Sequence, residues 1–469
     1  MERAAAPLPL DDIQGIILRK YELPLVRHFV LEIGHARAAQ RVVAGLAGDR
    51  SALAVTSAVP VAGPRESAVN IGFTYSGLAA LHGGEQRLGG AFEDFGSFRQ
   101  GAARRARYVG DRGASAPRHW IGGLGTPRAH AVVSLYSASK ASHVRRTGEL
   151  LDLLREGGAF RELHHFDGEA LPGGRVHFGY RDGISQPRVE GDVDGGGSAD
   201  PQPPVPAWHF VLDRNPAARY RMGASDLLLH GSFAAFRVMR QDVFAFERYL
   251  RRTADGLDMD PELLAAKLCG RWRTGAPLEL SPDSPAGVPE SEWNNFDYAA
   301  SDPRSDGART PLGCHIRRAN PRGMHVVGGA IRIIRRAVPY GREWVAGMPE
   351  DGEERGLLGL FICADLKRQF EYVMRQWIHE GGFMTFGNLP PSSRDPLIGS
   401  QPRGGGRLLI SGRHERPVSA GGLSPFVTTR AAAYLFLPGL NALRALAAIS
   451  PTTTTTAVRN PLNAERMTT

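Results

Sequence analysis

Gly313–Gly341 reads GCHIRRANPRGMHVVGGAIRIIRRAVPYG: a histidine in an irregular segment, a cluster of arginines and a short apolar run. The run Val326–Ile334 is rich in β-branched residues and ends before a Pro-Tyr-Gly turn, which predicts a strand. Alternation then puts Ile331, Ile333 and Arg335 on one face and Arg332, Ile334 and Arg336 on the other. Arg335 thus shares a face with two isoleucines. An arginine there needs a buried anionic or polar partner, because an unpaired buried charge is too costly. His315 precedes it in the same stretch, and the fold must supply an object that both residues serve.

Working outward, the first part of the chain alternates strand and helix patterns. Leu25–Ile33, Ser67–Thr74, His130–Leu135 and Val176–Tyr180 read as strands. Ala36–Leu46, Ser76–Leu81 and Lys140–Arg155 read as helices. Residues 191–207, GDVDGGGSADPQPPVPA, are a loop by composition and separate two halves. Beyond them, Trp208–Leu212 and Gly231–Met239 read as strands, and Asp242–Arg252 and Asp260–Cys269 as helices, the latter with Asp260 as N-cap and Pro261 behind it. Residues 274–311 form a long polar stretch with no period. Arg355–Ala364 reads as a buried strand. Asp365 caps a helix whose stripe is Leu366, Phe370, Val373 and Trp377. Residues 431–448 give a strand and a short helix. The pattern predicts an α+β fold, with helices on one face of a mainly antiparallel sheet. The expected division is residues 1–190, a linker 191–207, residues 208–450 and a disordered tail 451–469.

Composition excludes several classes. The formal charge of +9 comes from 57 basic and 48 acidic residues spread along all 469. No nucleic-acid-binding motif accompanies it. Cys269, Cys314 and Cys363 are odd in number and far apart, so they form neither a disulfide framework nor a metal pattern. No apolar run is long enough to span a bilayer. The N-terminus shows no apolar signal core and no twin arginine, so a soluble, cytoplasmic protein is expected.

Two constellations stand out. In Gly179–Pro187, GYRDGISQP, two glycines bracket Tyr-Arg-Asp and hold Asp182 in a tight turn that lets the backbone approach a ligand. The other is His315 with Arg335; His325 is a nearby competitor, and His164–His165 reads as a loop pair. Gly404–Gly406 reads as a hairpin turn and not a phosphate loop, because no capped helix or lysine-serine follows it. Asp182, His315 and Arg335 together suit one chemistry. A neutral imidazole is a good axial ligand for haem iron. A carboxylate and a guanidinium can then cleave a peroxide, by moving a proton between its oxygens and by stabilising negative charge. Spacing alone does not select this chemistry.

The residues themselves resemble the dye-decolourising peroxidase family. The resemblance runs through GYRDGISQP, PLGCHIRRANPR, IIRRAVPYG and RGLLGLFICADLKRQFEYVMRQWI, with LDDIQGIIL, GSFAAFRVMRQDVFAFE and LAAKLCGRWRTGAPL in the same order, across roughly residues 10–445. It implies two ferredoxin-like domains and one haem b, ligated by His315, with Asp182 as distal acid/base and Arg335 as distal arginine. By the same resemblance Leu360 and Ile362 wall the distal pocket, Arg322 binds a propionate, and Asp395 accepts the other N–H of His315. Cys314 and Ala337 depart from residues common in the family. The implied activity uses hydrogen peroxide to oxidise phenols or dyes through a ferryl haem with a porphyrin radical. Bulky donors would react at the surface through Trp377, Tyr340 or Trp344. Two alternatives remain: a haem carrier or haem-iron handling protein with incidental peroxidase activity, and a biosynthetic haem enzyme acting on one small metabolite. No nucleic acid or membrane partner is implied, and the oligomeric state and any shell partner stay open.

Overall fold

The computed structural model of the chain describes residues 7–48, 51–88, 90–192, 200–215, 217–218, 220–222, 226–301, 307–323, 331–345, 347–383, 393–411 and 417–447. Its strands are β1 (Leu25–Ile33), β2 (Ser67–Phe73), β3 (Ala131–Ser137), β4 (Phe160–Glu169), β5 (Ser232–Gln241), β6 (Ile334–Tyr340), β7 (Gly356–Cys363), β8 (Gly406–Ser411), β9 (Pro417–Leu423) and β10 (Val427–Leu437). Eight of them form one antiparallel sheet in the order β4-β1-β3-β2-β10-β5-β7-β6, and β8 and β9 make a separate hairpin. Each half of the sheet places its own strands in the order fourth, first, third, second, the ferredoxin-like arrangement. The halves meet where β2 touches β10 at Phe73 and Phe436.

The sheet curls until its free edges approach. Gly168 on β4 lies so close to β6 that a Cβ there would come 2.9 Å from the Pro339 carbonyl oxygen. All eight strands then contribute to one interior cluster that includes Val30, Val132, Phe236, Ile334, Ile362 and Leu435. The outer face of the first half carries helices Ala36–Leu46, Tyr75–His82 and Lys140–Arg155, capped at Thr74 and Ser139 by side chains that accept backbone N–H groups. The outer face of the second half is covered by the irregular chain that holds the site.

Most helices and strands match the expected periodicities, and Asp260 caps Pro261–Cys269 as its position predicts. Four expectations shift. The strand expected at Val326–Ile334 is Ile334–Tyr340, and residues 324–330, with His325, lie outside the described residues. Pro339 therefore sits inside a strand. It can do so because β6 is the sheet edge, where a missing N–H costs no ladder bond. Val176–Tyr180 is a turn closed by the Val176 N–H donating to the Tyr180 carbonyl at 2.9 Å. Trp208–Leu212 is not a strand either; Ala207–His209 is a single tight turn. The expected helix after Asp365 is one α-turn, Phe370–Tyr372, followed by a π-helical stretch, Val373–Ile378. Three strands, β4, β8 and β9, have no counterpart among the expected ones. β4, FRELHHFDGE, pairs only with β1 and carries His164 and His165 on an edge.

The expected linker falls between β4 and β5, with residues 193–199 outside the described set, as is the tail from 448. No described helix is long and apolar enough to cross a membrane.

Candidate active site

A cavity of about 890 Å³ lies against the outer face of the second half-sheet, within the ordinary range for a ligand pocket. Arg335 enters it from β6 and Phe361 from β7; the two are register partners and point to the same face. Arg336 points to the other face, where its guanidinium donates to the carbonyls of Ile16 and Arg19 at 3.0 Å and of Ile17 at 3.1 Å. The predicted alternation thus separates Arg335 from Arg336. It fails for Arg332, which lines the same cavity because residues 331–333 precede the strand.

His315 reaches the cavity from the short helix His315–Ala319. Its Nδ1 lies 2.9 Å from Asp395 Oδ2. The other Asp395 oxygen accepts the backbone N–H groups of Leu397 and Ile398, each at 2.9 Å. Burial pushes the Asp395 carboxyl up, but the adjacent His315 ring and these N–H groups outweigh it and hold the carboxyl below its ordinary range. An ionised acceptor fixes the proton on Nδ1 and leaves the Nε2 lone pair free. Nε2 has no protein partner among the described residues. Arg318 locks the helix by donating to the carbonyls of Gly313 at 3.0 Å, Trp377 at 2.6 Å and Glu380 at 2.9 Å.

Asp182 lies on the rim loop. Gly179 and Gly183 on either side have φ of 86° and 77°, values that glycine adopts without strain. Its carboxylate borders the cavity and makes no hydrogen bond or ion pair among the described residues. The loop is stitched to β6 by Gln186. The Arg335 N–H donates to Gln186 Oε1 and Gln186 Nε2 donates to the Arg335 carbonyl, both at 3.1 Å. Arg335 Nη2 also donates to the Ser185 carbonyl at 3.0 Å. Backbone groups left unpaired at the sheet edge thereby tie Asp182 to Arg335.

Four arginines, Arg271, Arg322, Arg332 and Arg335, crowd one end of the cavity. Burial and the Arg322 charge lower Arg271 to about 10. Burial, Arg322 and Arg335 do the same to Arg332, also to about 10, against the opposing pull of Asp200. Arg322 stacks on Phe296 at 4.2 Å and donates to Asn294 O at 2.8 Å and Phe296 O at 3.2 Å. Like charges held this closely favour an anion beside them.

Leu360 borders the cavity; Ile362 does not. Ile362 pairs across β7 with Ile334 and is wholly buried in the interior cluster on the opposite face. The wall beside Arg335 is Phe361 instead. Neither Phe361 nor Gln186 stands out in the sequence, since each depends on register or docking. Trp377 is buried at 2% exposure, which removes it from the surface donors. Tyr340 donates to Glu354 Oε1 at 3.0 Å, and Trp344 to the Met348 carbonyl at 3.1 Å.

No family model matches the chain. A dye-decolorizing peroxidase of Exidia glandulosa is 30% identical over 467 residues, covering 94% of this chain and 87% of the relative. A fungal DyP-type peroxidase from Auricularia auricula-judae superposes with a TM-score of 0.79 at 26% identity, over 95% of this chain and all of that one. A dye-decolorizing peroxidase in complex with 2,6-dimethoxyphenol gives 0.77 at 27% identity, over 94% and 100%. Likeness in sequence and in fold extends over nearly the whole chain; the chain belongs to the dye-decolorizing peroxidases, oxidoreductases that use peroxide.

Proposed function

We propose that the chain is a haem b peroxidase that oxidises phenols or dye-like donors with hydrogen peroxide. One observation carries this reading. A histidine whose Nδ1 is committed to a buried carboxylate presents its other nitrogen to a large cavity that also holds an unpartnered carboxylate and a guanidinium. The residues fit the group. His315 Nε2 would ligate the iron, the arginine cluster would face the propionates, and Phe361, Val373 and Leu397 give apolar walls. Haem supplies a redox centre that takes two oxidising equivalents from peroxide and passes them on singly.

The chain's own residues do the rest. Asp395 keeps the ring oriented and raises its basicity. Asp182 takes a proton from the near oxygen of peroxide and returns it to the far one, which leaves as water. The Arg335 guanidinium keeps donors free of Ser185 to stabilise charge on those oxygens as the bond breaks.

The test is an absorption spectrum of the purified protein reconstituted with haem, beside His315→Ala. A Soret band in the native chain and a changed ferric spectrum in the variant are expected. An identical ferric spectrum in both would remove His315 as the ligand, and no haem uptake would remove the proposal.

A further inference from the structure

The π-helical stretch Val373–Ile378 and the residues just past it gather both supports of the His315–Asp395 pair. Such π-helical turns are rare and recur at functional sites. On the histidine side, Arg318 of the short helix that begins at His315 donates to the carbonyls of Trp377 at 2.6 Å and Glu380 at 2.9 Å, and to that of Ser393. On the carboxylate side, the Asp395 N–H donates to the Ile378 carbonyl at 2.8 Å. Asp395 then opens a single turn, closed by the Gly399 N–H on the Asp395 carbonyl at 3.0 Å. The next residue, Ser400, donates its N–H to His379 Nδ1 at 3.2 Å, and its hydroxyl lies 3.2 Å from the same nitrogen. No backbone carbonyl among the described residues takes that N–H. Ile378 and His379 thus hold the two ends of the turn that carries Asp395.

The His379 ring is itself confined. It lines the cavity, which reaches from Arg335 on β6 to Val427 on β10. Its Nε2 edge packs on Gly110 so closely that a Cβ there would overlap the ring. Burial lowers its pKa to about 4, with the Arg237 and Arg394 charges acting in the same direction and Asp111 and Asp395 opposing. The ring is therefore neutral at pH 7. The Ser400 N–H on Nδ1 leaves the ring proton on Nε2. We propose that His379 is a positioning residue for the His315–Asp395 pair: its Nδ1 fixes the turn at Ser400 and, through that turn, the place of the Asp395 carboxylate against the His315 ring. This rests on the reading of His315 as the haem ligand. A carboxylate held against that ring makes it the stronger donor and favours ferric over ferrous iron. A turn freed at Ser400 loosens that contact.

The experiment compares the haem-loaded native protein with His379→Leu, His379→Asn and His379→Gln. Asparagine puts an acceptor oxygen near the Nδ1 position, whereas glutamine puts its amide near Nε2. Ferric haem affinity is read by titrating each apoprotein with haemin, and the ferric/ferrous midpoint by spectroelectrochemistry. In the Leu and Gln variants ferric affinity is expected to fall roughly tenfold with ferrous affinity unchanged, which raises the midpoint by about 59 mV for one electron. The Asn variant should stay near the native values. Native affinity and midpoint in the Leu variant would overturn the proposal. So would an Asn variant as impaired as the Leu variant, since ring packing alone would then account for the loss. Where the Leu variant does not fold, the contrast of Asn with Gln decides in the same way. Failure of the native chain to take up haem would instead overturn the reading of His315 as the ligand. Amide exchange at residues 395–400 of the haem-free native and Gln proteins would still test the turn, and equal protection at Ser400 would overturn the role of His379.

Discussion

At the scale of single residues, the site depends on which nitrogen His315 presents. Asp395 decides that, because a wholly buried acceptor can be satisfied only by the ring N–H. Asp395→Ala should weaken haem retention by about 10–100-fold and alter the ferric spectrum; titration of the apoprotein with haemin checks it, and native affinity would contradict it. Asp182→Asn should keep haem but lower the rate with peroxide by about 10²–10⁴-fold. Stopped-flow mixing with peroxide reads this directly, and an unchanged rate with haem bound would return the carrier alternative to first place. Asp182 and His315 could be picked out in the chain because they stand in distinctive local blocks; Asp395 entered only through the family resemblance. Phe361 and Ile362 could not be ranked there: adjacent in an apolar run, they differ only in the face that pairing gives them.

At the scale of elements, β6 organises the site by being an edge. The edge position tolerates Pro339, and it leaves the Arg335 N–H and carbonyl open for Gln186. That clip couples two segments far apart in sequence. Gln186→Leu should cost about 1–3 kcal/mol, since it strands the Arg335 N–H, while the Arg335 carbonyl still accepts from Arg336 Nη1 at 3.2 Å. It should also slow the peroxide reaction with haem content unchanged. Chemical denaturation and stopped-flow on the same preparation test both parts; full peroxide reactivity would show that the clip does not position Asp182. The strand's shift from its expected span has the same origin. An apolar run predicts that a strand exists, while its ends follow from the partner that β7 provides.

At the scale of the molecule, the two half-sheets are held together by buried polar links as well as by the shared interior. Arg237 on β5 and Asp111 before β3 form a pair with side chains 6% and 5% exposed, and Thr429 donates to Asp111 at 2.7 Å. Glu371 accepts from Ser97 and Tyr434 at 3.0 Å and from Arg105 at 2.9 Å. Asp111→Ala should destabilise by about 3–5 kcal/mol, because it leaves Arg237 buried without its counter-charge. Replacing both by apolar residues should recover much of that loss, and melting curves of the three variants would show otherwise if the double is no better than the single. A pH effect comes from the same interior. His28 lies among Ser134, Tyr136 and Phe236, and burial lowers it to about 3. Its unfolded value is near 6.5, so the unfolded chain binds the extra proton first. Stability is present above pH 6.5 and falls as pH drops toward 3, by up to about 1.4 kcal/mol per pH unit. Melting temperatures of the native protein and His28→Leu between pH 7 and 4 should converge on acidification; parallel curves would exclude His28 as the cause.

The amino-acid sequence by itself determined the local grammar: the periods of most helices, the cap at Asp260, the glycine-bracketed turn around Asp182, and the opposition of Arg335 to Arg336. Each of these arises within a few residues, where side-chain spacing and backbone freedom suffice. Only the tertiary structure decided that Gly313–Gly341 meets Asp182 through Gln186, that Phe361 and not Ile362 walls the cavity, that β4 is a strand, and that the cavity extends to β10. Those outcomes rest on hydrogen bonds and register between segments far apart in the chain, and no local pattern carries them.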